Sequence, residues 1–210
     1  SVTPVPLPEA PVSGNAQTPD VSVTALGRPS KDPIGLLSGD VTGLPDDIWA
    51  ASDEETLVAL VRGERVDTLP AMQDLLRMLM LAEAAPPQGA GPDGALFLAR
   101  VDKLLDLGAL EQAKSLIEQA APDTPALFRR WFDVALLTGT EDDACEAMRS
   151  APAIAPTFSA RIFCLARNGD WSAAALTLNT HRILGDITQQ EEALLARFLD
   201  PELFEGAPPL

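Results

Sequence analysis

Residues 97–125 read FLARVDKLLDLGALEQAKSLIEQAAPDTP, and the fold depends on how this stretch divides. Its single glycine, Gly108, separates two apolar stripes. Before it, Phe97, Val101 and Leu104 are spaced by four and three, which places them on one face of a helix. After it, Ala113 and Ile117 lie four apart on the inward face of a second helix, where the small alanine lets the two helices approach closely. Glycine suits the end of the first helix, because a left-handed C-terminal residue costs least without a β-carbon.

The same division recurs twice. Gly139 and Gly169 follow Gly108 at intervals of 31 and 30 residues. Phe128 and Phe158 stand eleven residues before them, as Phe97 does before Gly108, so three of the seven phenylalanines share one phase. Ala144 and Ala174 stand five residues after, matching Ala113, and Met148 and Leu178 match Ile117. Phe132 and Ile162 match Val101, and Ala135 and Leu165 match Leu104. This is an internal repeat of helix–turn–helix units, and it predicts an all-α fold with Phe97, Phe128 and Phe158 as buried equivalents. Helices are expected at about 53–63, 70–84, 95–107, 109–120, 125–138, 141–149, 157–168, 170–184 and 189–199, the last as a cap on the final unit.

The pattern resembles the tetratricopeptide repeat family. Phe97, Gly108, Ala113, Ala120 and Pro125 match that family's unit one by one, as do Phe128, Gly139, Ala144, Ala151 and Pro156. The third unit carries His181 and Asp186 at the last two of these positions. The period is three or four residues short of the family's 34, and Val101, Phe132 and Ile162 replace a small residue. The likeness covers roughly residues 94–185, in units of about 94–123, 125–154 and 156–185. It implies an α-solenoid of antiparallel helix hairpins that acts as a non-catalytic protein–protein interaction scaffold. The family's first helices line a groove for a protein or peptide, and its groove positions fall here on Leu98, Asp102, Leu105, Arg129, Asp133, Leu136, Ser159 and Phe163. The alternative for these positions is a solvated face, on which Asp102 and Asp133 serve solubility.

Upstream, residues 1–33 carry seven prolines among small polar residues and read as a flexible tether. From 34 to 50 the character changes. Ile34, Leu36, Leu37, Leu44, Ile48 and Trp49 arrive among Gly and Asp, which predicts an extended segment docked without helix on the leucine-rich strip Met72–Leu81. Ser52 and Glu55 have capping-box spacing, and Pro70 suits a first helical turn. Thr140, Asp170 and Thr188 are expected N-caps. The helical-repeat domain is bounded at 51–205, with a short tail at 206–210.

A net charge of −16 with three lysines opposes a nucleic-acid or anionic-membrane surface. His181 is the single histidine and falls in the packing phase of Ala120 and Ala151. Paired acids at Glu54–Glu55, Asp142–Asp143 and Glu191–Glu192 suit first helical turns. There is no phosphate-binding glycine loop, metal-spaced Cys/His set or nucleophile elbow, so no cofactor, metal or catalytic residue is assigned. Cys145 and Cys164 fall on consecutive antiparallel helices at similar distances from the turn between them. They are either two small buried apolar residues or a disulfide of an oxidising compartment.

The Ala/Arg-rich, Lys-poor composition resembles that of high-GC bacterial proteins, and Ser1 in place of Met suggests either processing that removed a leader or membrane anchor, or a trimmed sequence. The layout resembles envelope assembly factors of pilus, flagellar or secretion machinery. The expectation is a periplasmic or otherwise exported scaffold, with a cytoplasmic location as the alternative. Its rivals are an enzyme with a loop-borne site and a self-assembling structural subunit.

Overall fold

The structure, a computed structural model, describes residues 29–208, and the regular structure of these residues is helical. In chain order the helices are α1 (Gly39–Thr42), α2 (Glu54–Gly63), α3 (Pro70–Leu81), α4 (Ala95–Asp106), α5 (Leu110–Gln119), α6 (Pro125–Thr138), α7 (Glu141–Ser150), α8 (Phe158–Arg167), α9 (Trp171–Leu184) and α10 (Gln189–Leu199). A 3-10 turn at Pro152–Ile154 joins α7 to α8. From α4 to α9 each helix packs on the next, α2 and α3 pack on α4, and α10 lies on α8 and α9. The expected tether lies almost wholly in residues 1–28, outside the described residues.

Local chemistry accounts for most helix ends. Pro70 and Pro125 occupy first-turn positions of α3 and α6, where the missing N–H has no partner to lose. Thr124, Thr157 and Asp170 accept backbone N–H bonds from Leu127, Ala160 and Ala173. Thr188 and Glu191 form a reciprocal capping box on α10. Gly108, Gly139 and Gly169 have φ values of 69°, 70° and 86°, the left-handed conformation that ends a helix.

Three expectations about caps and ends are corrected. The cap of α2 is Asp53 and not Ser52: the Asp53 carboxylate accepts from Thr56 N at 2.8 Å, and that bond lowers its pKa. Thr140 stands at the N-cap position of α7, but its hydroxyl pairs with that of Thr138 at 3.1 Å and not with the backbone. Helix α3 stops at Leu81 and not near Ala84, because the carbonyl of Leu81 accepts from Leu36 and Leu37 N, and Glu83 N donates to the carbonyl of Leu37.

Those bonds define how the segment before α2 docks. Leu37 and Ala82 form a parallel bridge, Ala85 N donates to the carbonyl of Asp46, and Glu54 and Gln88 exchange backbone bonds with each other's surroundings through Glu54 N to Gln88 O and Gln88 N to Ser52 O. Docking begins by Lys31, upstream of the expected boundary at Pro33. The seat is also different. It is the chain at Met80–Ala84 together with α4, whereas Met72 and Leu75 are exposed. Trp49 is buried, Ile34, Leu37 and Ile48 pack against the core, and Leu36 is exposed. The segment is not wholly extended, since α1 turns once within it. Gly35 is required by close approach: a β-carbon there would stand 2.3 Å from Glu83 N and 2.5 Å from the carbonyl carbon of Ala82.

Helix α4 is the anchor of this region. Its N-cap residue, Gly94, offers no side chain, and two distant carboxylates take over. Asp32 Oδ1 accepts from Phe97 N at 2.7 Å, and Glu54 Oε1 accepts from Ala95 N at 3.1 Å. The Glu54 pKa is raised, first by burial and then by the neighbouring Asp32. Glu54 therefore does not simply face water at the start of its own helix. Arg100 is fully buried between the rings of Trp49 and Phe97, about 6 Å from each centroid. It donates to four carbonyls, those of Met80, Asp32, Ile34 and Ala82, at 2.7–2.9 Å. Burial pulls its pKa down to about 10, the Asp32 charge opposing, so the guanidinium stays charged at neutral pH. Lys31 extends the clasp by donating to the carbonyls of Ala120 and Ala121 at the end of α5 and pairing with Asp123 at 2.6 Å.

The core divides in two. The larger cluster runs from Trp49 through α2–α6 to Cys145, Met148, Ala160 and Cys164. A smaller one comprises Ile162, Ala166, Ala174, Leu178 and Leu195, within α8–α10. Phe97 and Phe128 are each 1% exposed, but Phe158 is 38% exposed. The expected equivalence fails for Phe158 because, as the first residue of α8, it stacks on the His181 imidazole at 3.5 Å between centroids and takes no place in either cluster.

Candidate functional site

Helices α6 and α8 are set apart by α7, and between them lies an open cavity of about 340 Å³. Arg129, Phe132, Asp133 and Leu136 line it from α6, and Ser159, Ala160 and Phe163 from α8, with Pro156 and Thr157 at one end. On each helix these positions are spaced by three or four, so each contributes one face. Five residues expected in a groove are brought together here: Arg129, Asp133, Leu136, Ser159 and Phe163. Leu98, Asp102 and Leu105 do not line it. Leu98 and Leu105 are half-buried against the larger core, and Asp102 accepts both Nε and Nη2 of Arg130, tying α4 to α6.

The charged members have partners. Arg129 and Asp133 pair along α6 at 4.0 Å, and burial raises the Asp133 pKa against the pull of Arg129 and Arg130. Ser159 donates to Glu191 Oε1 at 3.0 Å, joining α8 to α10. That bond adds to those from Thr188, which lower the Glu191 pKa most.

Aromatic rings extend the cavity's apolar wall. Phe132 meets Phe163 edge-on at 6.2 Å, Phe163 stacks with Phe198 at 5.4 Å, and Phe198 lies 6.1 Å from Trp171. Half of Trp171 remains in contact with solvent. Phe132 is the core residue that its phase predicts, and Phe198 lies on α10, the expected capping helix. Trp171 passed without assignment. The usable signal was that Phe132 and Phe163 occupy positions one residue apart in successive units, which turns the second ring toward the groove.

Elsewhere the chemistry is sparse. His181 Nδ1 lies 2.8 Å from Asp186 Oδ2, the partner that the third unit's substitutions supply. Among the described residues no hydroxyl or thiol is hydrogen-bonded to this ring, and no group of His, Cys, Asp and Glu could hold a metal ion. Cys145 and Cys164 are joined in a disulfide between α7 and α8. Asp142, in the first turn of α7 as expected, also accepts from Arg167 of α8 at 2.7 Å. No described helix is long and apolar enough to cross a membrane. No family model matches the chain, and no curated protein or solved structure matches it.

Proposed function

We propose that this chain is a non-catalytic interaction scaffold, an α-solenoid of tetratricopeptide-like hairpins that binds a partner protein or peptide in the α6–α8 cavity. The observation that carries the reading is the run of partly exposed aromatic rings, Phe163, Phe198 and Trp171, continuing from the buried Phe132 beside a cavity walled mainly by apolar atoms. Soluble proteins seldom leave such a surface open unless something docks on it. Aromatic anchors with a polar edge, supplied here by Arg129 and Asp133, suit a peptide held by a few apolar side chains. A disulfide supports an oxidising compartment, and so an exported scaffold in a bacterial envelope machine such as a pilus, flagellum or secretion apparatus.

Affinity capture from the source cell tests this reading. The unaltered chain should retain a protein partner in stoichiometric amount, and Leu136→Glu should lose it at unchanged thermal stability, since Leu136 is exposed. Retention of a small metabolite and no protein would favour an enzyme. A self-assembling subunit is the second reading, favoured by the exposed Leu176, Ile183 and Leu184 on α9. It requires the purified chain to sediment above its monomer mass.

A further inference from the structure

The Cys145–Cys164 bridge lies where two parts of the molecule meet. Cys145 and Cys164 belong to the larger core, while Ile162 and Ala166, on the same helix as Cys164, belong to the smaller one. Helix α8 thus meets the larger core through Ala160, Phe163 and Cys164 and faces α9 and α10 through Ile162 and Ala166. Apart from the bridge, the ties between α7 and α8 include Arg167 with Glu141 and Asp142, ion pairs at the surface that contribute little in water. The bridge adds a covalent tie across the α7–α8 seam to this packing.

That joint has an entrance. A cavity of about 290 Å³ opens along the α7–α8 seam, with both cysteines on its wall beside Met148, Arg149, Arg161 and Asn168. As residues Cys145 and Cys164 are 0% and 3% exposed, so of the two it is Cys164 that solvent reaches, and this cavity is where both come to the surface of the seam. Thiol–disulfide exchange needs a thiolate to reach one sulfur, and access is one of the factors that set its rate. The rim carries both signs, with Arg149 paired to Glu146 and with Arg161 and Asp170 on the same cavity.

We propose that Cys145–Cys164 is a thiol-exchange site: an external dithiol enters this cavity while the chain remains folded, reduces the bridge and frees α8–α10 from α7. A thiolate of the dithiol attacks one bridge sulfur, forming a mixed disulfide and releasing the other cysteine as a thiolate, which takes a proton. The second thiol of the same molecule, as its thiolate, then displaces the remaining cysteine, which is protonated in turn. Two electrons and two protons pass to the protein, and the reductant leaves as its cyclic disulfide. The site goes beyond partner binding and stands whether or not the α6–α8 cavity holds a peptide.

The oxidised chain treated with dithiothreitol in native buffer provides the test. Thiols should appear at a rate that rises linearly with dithiothreitol concentration, and Asn168→Trp, which fills the cavity from an exposed position, should slow that rate several-fold. Amides of α8–α10 should then exchange hydrogen faster by up to on the order of a hundredfold, the constraint expected of a closed loop of this size. Those of α4 and α5 should be unchanged. If Asn168→Trp fails to fold, the double variant Cys145→Ala/Cys164→Ala should reproduce the fast exchange of the reduced chain. A reduction rate that is independent of dithiothreitol and equal to the rate of global unfolding would overturn the proposal. So would equal rates in folded Asn168→Trp and the unaltered chain, or unchanged α8–α10 exchange after reduction.

Discussion

Arg100→Met is expected to destabilise the chain by about 3–5 kcal/mol, the cost of breaking a buried charged network by removing one side of it. Methionine keeps most of the apolar stem that lies between Trp49 and Phe97, so lost packing is a minor part of the effect. What disappears is the donor to the carbonyls of Met80, Asp32, Ile34 and Ala82, acceptors supplied by two distant stretches of chain. The Asp32 carboxylate also loses its nearby positive charge. Lysine cannot restore this, because a point ammonium does not span the directions that the planar guanidinium reaches. Denaturant unfolding gives the magnitude, and hydrogen exchange locates it: amides from residue 34 to 49 should lose protection first. An unchanged midpoint for Arg100→Met would show that the segment holds without it.

The second large effect separates residues that the repeat makes look alike. Phe128→Ala should cost about 3–5 kcal/mol, because its ring is enclosed and meets Trp131 edge-on at 5.6 Å. Phe158→Ala should cost under about 1.5 kcal/mol, the upper range for an aromatic pair, since one face of the ring is open and the other rests on His181. Equal losses for the two variants, measured by the same unfolding assay, would contradict the separation of the cores described above. The difference also bears on the third unit as a whole, whose small cluster can lose little before it opens.

What could be read in the chain was what is local and periodic. Phe97, Val101, Leu104 and Gly108 stand three or four apart, so their face and the end of their helix follow from backbone geometry alone. Arg100 was overlooked although it stands three residues after Phe97 and four before Leu104, on the same buried stripe. A charge in that phase reads as an interruption until its acceptors are known, and they come from residues up to 68 positions away. Lys103, also buried, is a second case: its ammonium reaches the carbonyl of Glu64 at 2.7 Å. The candidate cavity was legible by half for a similar reason. Positions within α6 and α8 follow from the repeat, but Asp102 is taken by Arg130, and the ring contacts to Phe198 and Trp171 depend on how α10 lies across α8. Spacing within one helix carries no information on either.

The clasp at α4 has a consequence for the order of events during synthesis. Its capping carboxylate, Asp32, is made before the helix that it caps, and before the guanidinium that holds its own backbone, 68 positions later. At a translation rate of about 5–20 residues per second the delay is roughly 3–14 seconds. Throughout that interval Ile34, Leu37 and Trp49 have no α4 to cover them and present an apolar stretch to whatever binds nascent chains. A ribosome-bound chain arrested before α4 should therefore be cut by protease between residues 31 and 50, and one arrested beyond α6 should resist. Equal cleavage of the two would place the docking of this stretch after release from the ribosome. The stretch thus leaves the ribosome well before the helix that holds it, and its early exposure is a property of the nascent chain that the finished fold conceals.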